Sequence, residues 1–530
     1  MSKGVVYILI ITVGVLIGSI GFILLKKQDL LYRLQLKLDK IKKVFLYFVE
    51  WILYLCVIYF FLNFLTIYYY QNIFSISSLI FLVVFISVFV LYFLILFDKN
   101  KSSINNLFVL FAIPVGLTFL FFVLPDFVPD EPSHFQRAYS VSNFNLTSSI
   151  HVMIDSDYAA KKLTNYSQIL PSIYFTTGPV QLEQFHEACS YNFILYIFPA
   201  LAINIGKLIN LSLYGCYYLG RMANLILYIV FGYASIKITP KLKWMFFVFL
   251  FNPMLLHLAG SYSSDVIIDG VCVLSLAYFL YLYFDKETID TKDIVIVISM
   301  IFIMLIAKYA FLPLFGIYFL VIPKLIKISK KQWAILVICI CFGMSFYLLH
   351  TYLASFGETI PSQEVYYTSN NVNASEQINY LLSNPTNIVT MYARTFYQEI
   401  DYYFENFVSK LGWLEIDINA ISYYLFYIIL FFTICLEKVK LSIGNRIWFF
   451  ILALIVAAII VLGLYLYWAP VGWPVSAGVQ GRYFVPCALL ILTSISNGLA
   501  TSFKYKREVI ILSILIIDIL ALKDILVYFL

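Results

Sequence analysis

The sequence predicts an all-α, polytopic transmembrane protein, and three observations carry that prediction. Apolar residues make up 62% of the 530, and charged residues only 12%, against about 25% charge in an ordinary soluble domain. Mean hydropathy is +0.90. Apolar runs that reach or approach the ~20 residues needed to cross a bilayer recur along the whole chain, separated by short linkers rich in lysine. The net charge of +6 is spread over those linkers, where it reports topology and gives no case for a nucleic-acid partner. Most of the eight cysteines stand singly inside apolar runs, as small hydrophobes do. Cys339 and Cys341 are two apart, on different faces of a helix, so their spacing makes no metal site.

In chain order, the first candidate spans cover residues 5–25, 44–70, 76–96 and 107–124. The first of these is expected to be retained, because its apolar run continues to Leu25 with no small-residue cleavage pattern before Lys26-Lys27. Residues 26–41 mix leucine with lysine and arginine, which suits a short interfacial helix. A polar segment, 125–189, follows the fourth span. Spans at 191–205, 216–236, 244–256 and 267–284 come next. The run 294–322 has Lys308 near its middle and reads as two short spans. A span at 333–352 precedes a second polar segment, 354–419, and spans at 423–435, 447–468, 483–495 and 509–528 complete fifteen. The chain thus divides into N-terminal transmembrane helices, 1–106, and a membrane domain, 107–528.

Positive charge orients the spans. Four basic linkers stand out: Lys26-Lys27 with 37–43, Lys99 with Lys101, Lys324 to Lys331, and Lys504 to Arg507. With all four cytoplasmic, both polar segments face outward. Their composition agrees: 125–189 carries seven carboxylates against three Lys/Arg, and 354–419 eight against two. Lys237, Lys241 and Lys243 conflict with strict alternation, and the conflict disappears if 191–205 does not cross. The expectation is therefore 14 or 15 spans.

The stretch Pro129-Asp130-Glu131-Pro132-Ser133-His134-Phe135-Gln136-Arg137 sets two carboxylates, an imidazole and a guanidinium at the start of the first polar segment. The prolines predict a fixed turn at Asp130-Glu131, with Pro132 disfavouring helical geometry at Glu131. Against the apolar background, Arg221, Asp265, Lys308 and Arg482 all fall at the same face, at helix ends. Intramembrane charges are costly and usually face partners or a cavity, although Lys and Arg near span ends also snorkel unaided. Three cations facing carboxylates suit a phosphate joining a lipid to a sugar: arginine holds phosphate with two prongs and lysine as a point charge. Asp130 or Glu131 then serves as base for an acceptor hydroxyl, or holds a divalent cation, Mg or Mn, through oxygen ligands. His134 supports the pair by hydrogen bonding or is structural. Aromatic residues, 19% of the chain, offer stacking faces, Trp413 and Tyr483 among them.

Residues 129–138 resemble the signature of the bacterial membrane-protein family DUF2142, and Gly478-Val479-Gln480-Gly481-Arg482-Tyr483-Phe484-Val485-Pro486 resembles its other strong motif. Arg221, Ser264-Asp265 and Lys308 sit where that family has similar residues, and the resemblance runs over about 107–528. It implies a GT-C-like fold and glycosyltransfer from a polyprenyl phosphate-sugar to a cell-wall glycan, teichoic acid or O-antigen on the extracytoplasmic side of a bacterial cell membrane. On that reading Asp130, Glu131 and His134 are catalytic. Arg137, Arg221, Asp265, Lys308, Gln480, Arg482 and Tyr483 bind substrate, and membrane lipids and envelope glycan assembly proteins are partners. The alternatives are a lipid-linked glycan flippase or polymerase, and a non-catalytic membrane subunit that presents substrate.

Overall fold

The computed structural model describes residues 103–146, 191–324, 370–503 and 505–529, the strands His151–Asp155 and Val180–Gln184, and isolated positions at 188, 337, 341, 345 and 348. The expected spans at 5–25, 44–70 and 76–96, the interfacial segment 26–41 and most of 333–352 lie outside the described residues.

The described chain is helical. Its helices are α1 (Ile104–Phe122), α2 (Glu131–Ser142), α3 (Ile197–Leu208), α4 (Leu213–Ile238), α5 (Lys243–Phe249), α6 (Pro253–Ala259), α7 (Asp265–Phe284), α8 (Thr291–Lys308), α9 (Ala374–Ser383), α10 (Thr386–Val408), α11 (Ala420–Leu436), α12 (Ile443–Trp468), α13 (Val485–Ile495) and α14 (Lys506–Phe529). Two antiparallel hairpins accompany them: β1 (His151–Asp155) with β2 (Val180–Gln184), and β3 (Lys410–Leu411) with β4 (Ile416–Asp417). Among the described residues, five helical stretches are long and apolar enough to cross a membrane: α1, α4, α7, α12 and the continuous run Thr291–Lys324. The expected count of 14 or 15 is not confirmed by these.

The bundle has two ends, and tertiary contacts assign each helix terminus to one of them. Residues after Lys308 form a 3-10 helix, Tyr309–Lys324, that doubles back along α8. Its Lys324 ammonium donates to the carbonyls of Leu282 (3.0 Å), Tyr283 (2.6 Å) and Lys286 (2.8 Å), and its carbonyl accepts from Ile289 N at 2.9 Å. The run 294–322 is therefore a hairpin with Lys308 at its tip, as its charge suggested. At the end that holds Lys324, away from that tip, Glu437 after α11 accepts from Leu242 N at 2.9 Å, and Arg446 of α12 donates to Ser496 O, beyond α13, at 2.7 Å. At the opposite end, Phe529 of α14 meets Phe127, ring centroids 4.8 Å apart. Ile443, Ile447 and Leu454 of α12 are exposed apolar side chains, as a lipid-facing helix requires.

One sequence expectation changes here. The run 244–256 is not one helix but the pair α5–α6, broken before Pro253. Proline cannot donate into a helix interior but fits the first turn of a new one, and Asn252 caps that turn by accepting from Met254 N at 2.9 Å. The polar segments carry regular structure: α2 stands in the first, and α9, α10 and the β3–β4 hairpin in the second. Helix α3 continues the 3-10 turn Phe193–Tyr196, and with it runs over Phe193–Leu208, shorter than the five long stretches. It lies along α2, its Lys207 ammonium donating to Ser142 Oγ (2.8 Å) and Asn143 Oδ1 (2.7 Å).

Candidate active site

The polar candidates collect at the end of the bundle that holds Phe127, the tip of α8 and the start of α7. Asp130 is the N-cap of α2, with φ 61° and ψ 4°, a left-handed conformation that few residues other than glycine adopt and aspartate tolerates better than most. Glu131 is the first helical residue, so the expected non-helical geometry there is corrected. Pro132 falls in the first turn, where the missing N–H has no intrahelical acceptor to lose. The fixed turn lies one residue earlier, at Asp130.

That turn sends the adjacent carboxylates in different directions. Glu131 is fully buried and pairs two-pronged with Arg221: Nε to Oε1 at 2.8 Å and Nη2 to Oε2 at 2.6 Å. Tyr262 N also donates to Glu131 Oε1, at 3.2 Å. Arg221 lies two turns inside α4, not at a helix end, and its remaining donors close the C-terminal end of α1. Nη1 reaches Leu120 O (2.8 Å) and Val123 O (2.6 Å), and Nη2 reaches Leu124 O at 3.1 Å. All five guanidinium N–H groups are thereby used. Arg137 also donates to backbone, to Tyr191 O (3.2 Å) and Leu146 O (3.3 Å). His134 Nδ1 and the Tyr196 hydroxyl are 2.6 Å apart.

Asp130 points the other way, its side chain 40% exposed, with one oxygen 3.7 Å from Arg482 Nη2. Arg482 is nearly buried, and its Nε has no partner among the described residues. The Gly478–Arg482 motif explains how it is held. Gly478 has φ +74°, which favours glycine. Gly481 presses on α10 so closely that a Cβ would sit 2.0 Å from Tyr403 O and 2.5 Å from Phe407 N. Tyr483 lies against both cations, its ring centroid 4.6 Å from Lys308 Nζ and 5.4 Å from Arg482 Cζ. Asp265, at the N-terminus of α7, lies within electrostatic range of Lys308, Arg482 and His134. The helix dipoles favour this placement, an anion at a helix N-terminus and Lys308 at the C-terminus of α8.

Sequence reasoning missed Tyr191, which is within electrostatic range of Lys308, Asp265, Tyr483 and Asp130. Burial pushes its hydroxyl up from the ordinary tyrosine range, against the opposing pull of Lys308, so it stays a neutral donor. It also missed Asp269, one turn below Asp265 and also near Lys308 and Arg482. Trp413, at the turn of the β3–β4 hairpin, is 45% exposed and donates to Asp126 O at 3.0 Å, which puts an open aromatic face beside the Asp130 loop. No group of three His, Cys, Asp or Glu side chains that could hold a metal occurs among the described residues. The site therefore splits into a closed structural part (Glu131, Arg221, Arg137) and an open part (Asp130, Asp265, Lys308, Gln480, Arg482, Tyr483).

The model of the family DUF2142, described as a predicted membrane protein, matches residues 171–491. The chain belongs to that family. The DUF2142 match takes in Arg221, Asp265, Lys308 and the Gly478–Arg482 motif, and it begins after the Asp130-Glu131 segment, which the resemblance read from the sequence had included. Comparison with curated proteins and with solved structures gives no match.

Proposed function

We propose that this DUF2142 protein is a glycosyltransferase with a GT-C-like fold, taking a sugar from polyprenyl phosphate to a cell-surface glycan or teichoic-acid-like polymer. The site would face the extracytoplasmic side of the cell membrane. The observation that carries this is the pair of cations Lys308 and Arg482 beside one tyrosine ring, with the half-exposed Asp130 carboxylate 3.7 Å from Arg482. Asp130 and Asp265 offset part of this positive charge, and a phosphate diester suits both cations.

In the reaction, the acceptor hydroxyl attacks the anomeric carbon, the carbon–oxygen bond to phosphate breaks, and the polyprenyl phosphate leaves with its electron pair. Asp130 takes the hydroxyl proton. Arg482 and Lys308 stabilise the charge that builds on the departing phosphate, and Trp413 offers a stacking face to a sugar ring. Glu131 and Arg221 do not touch substrate in this scheme: they lock the start of α2 to the end of α1 and so fix where Asp130 stands. Asp130 and Asp265 would supply oxygen ligands should Mg or Mn take part.

A flippase would want charges along a path through the bundle. Asp130, Asp265, Lys308 and Arg482 instead gather at one end, which supports the transferase. The test is turnover of a synthetic polyprenyl phosphate-sugar by purified Asp130→Asn. It keeps size and most hydrogen bonding, so donor binding is expected to persist while turnover falls about 10²-fold or more. Wild-type turnover would remove Asp130 as base and favour a non-catalytic subunit.

A further inference from the structure

A second group of polar atoms stands beside Arg482 with nothing to bind. Asn406, on α10, is fully buried, and neither its Nδ2 nor its Oδ1 has a hydrogen-bond partner among the described residues. The same holds for Gln480 Oε1 and Arg482 Nε. The residues that carry these four atoms meet at one backbone contact. Gly481, between Gln480 and Arg482, rests on the backbone of Asn406, where an added Cβ would lie 3.0 Å from the Asn406 carbonyl carbon. Tyr402, one turn earlier on α10, turns its hydroxyl toward the Asn406 side chain without closing a hydrogen bond to it, and lies within electrostatic range of Tyr483, which ties the group to the open part of the site.

Native interiors rarely leave buried amides unpaired, because each such group costs its full desolvation. An apolar residue at 406 would pack the same space without that cost. The pattern of unmet groups also describes a ligand. Arg482 Nε can only donate, Gln480 Oε1 can only accept, and the Asn406 amide does both. An anion alone would leave Gln480 Oε1 and Asn406 Oδ1 unmet. A polyol beside a phosphate meets all four, since each hydroxyl donates and accepts.

We infer that Asn406 and Gln480 read hydroxyl groups of the sugar carried by the lipid phosphate, while Arg482 serves the phosphate. This rests on the donor class proposed above and adds the residues that distinguish a glycosylated carrier from a bare one.

The experiment measures binding of polyprenyl phosphate, and of polyprenyl phosphate carrying a hexose, an N-acetylhexosamine or a pentose, to the full-length protein in nanodiscs. Wild type should bind its best glycosylated lipid at least about 10-fold more tightly than the bare one, the effect of one or two charge-neutral hydrogen bonds. Asn406→Leu and Gln480→Leu should erase that preference and leave bare-lipid affinity within about twofold, whereas Arg482→Ala should weaken both. Asn406→Ser, which keeps a donor and an acceptor, serves where the leucine variant does not fold, and should retain part of the preference. If the wild type prefers no glycosylated lipid, or if Asn406→Leu and Gln480→Leu keep its preference, the inference is overturned while the donor class stands. If wild type binds none of these lipids, the donor class itself fails.

Discussion

Replacing Glu131 by glutamine separates a structural carboxylate from a catalytic one. Both side chains of the Glu131–Arg221 pair have zero exposure, so the variant leaves a guanidinium charge in the interior with no counter-charge. Removing one partner of such a pair costs about 3–5 kcal/mol. Arg221→Met should cost more. It strands the Glu131 carboxylate and also removes the side-chain donor to the carbonyls of Leu120 and Val123, each worth about 1–3 kcal/mol when buried and unpaired. The assay is unfolding of purified protein in detergent, followed by tryptophan fluorescence against denaturant, with sugar transfer measured on the same preparations. The expected order of stability is wild type, then Glu131→Gln, then Arg221→Met, with transfer falling in step with the folded fraction. An inactive Glu131→Gln protein that unfolds like wild type would refute the structural assignment and return Glu131 to the chemistry.

Two further predictions follow from the same geometry. Single cysteines placed near Ser156 and near Asn373 should react with a membrane-impermeant thiol reagent on intact cells, and cysteines near Ser102 and Ser329 should not; labelling near Ser102 but not near Asn373 would place the site on the cytoplasmic face. Asp518 is buried in α14, with both carboxylate oxygens unpartnered among the described residues, so Asp518→Leu should leave transfer intact and raise stability by about 1–3 kcal/mol, the cost of burying an unpaired polar group, and a collapse of transfer would show that this carboxyl has a role.

Much of the site was legible because charge is scarce in this chain. Asp130, Asp265, Lys308 and Arg482 stand out where only 12% of residues are charged, and the structure brings all four to one end. The tip of the α8 hairpin was legible for the same reason, since a lysine in mid-run has to find water or a partner. Direction was not legible. Nothing in the order Asp130-Glu131 says which carboxylate turns inward, because that depends on a left-handed residue at 130 and on an arginine 90 positions away. Arg221 looked like a ligand for the same reason that it is structural: a lone arginine in an apolar helix must satisfy five donors, and here backbone carbonyls and Glu131 take them all. Asn406 was invisible, since asparagine in a polar segment carries no signal until both faces of its helix are known to be covered.

The division of labour between the two adjacent carboxylates has a physical logic. A base must stay ionised, accessible and fixed in place, and these demands conflict in a residue at a membrane surface. Fixing the carboxylate by burial removes it from water and from the acceptor. Leaving it exposed costs it its orientation. Here the burial falls on Glu131, whose clamp to Arg221 joins α2 to α1 and α4, while Asp130, one residue earlier, keeps 40% exposure. The short Asp130 side chain on a backbone held at φ 61° has few rotamers to lose, so its neighbour's clamp does most of the positioning. Moving the carboxylate one methylene outward tests this. Asp130→Glu retains the charge and the basic oxygen but shifts it by about 1.5 Å and adds a rotatable bond, and misplacement by about 1 Å can cost 10²-fold in rate. If Asp130→Glu transfers sugar at the wild-type rate, the position of the carboxylate is not controlled by the turn, and the Glu131–Arg221 clamp serves stability alone.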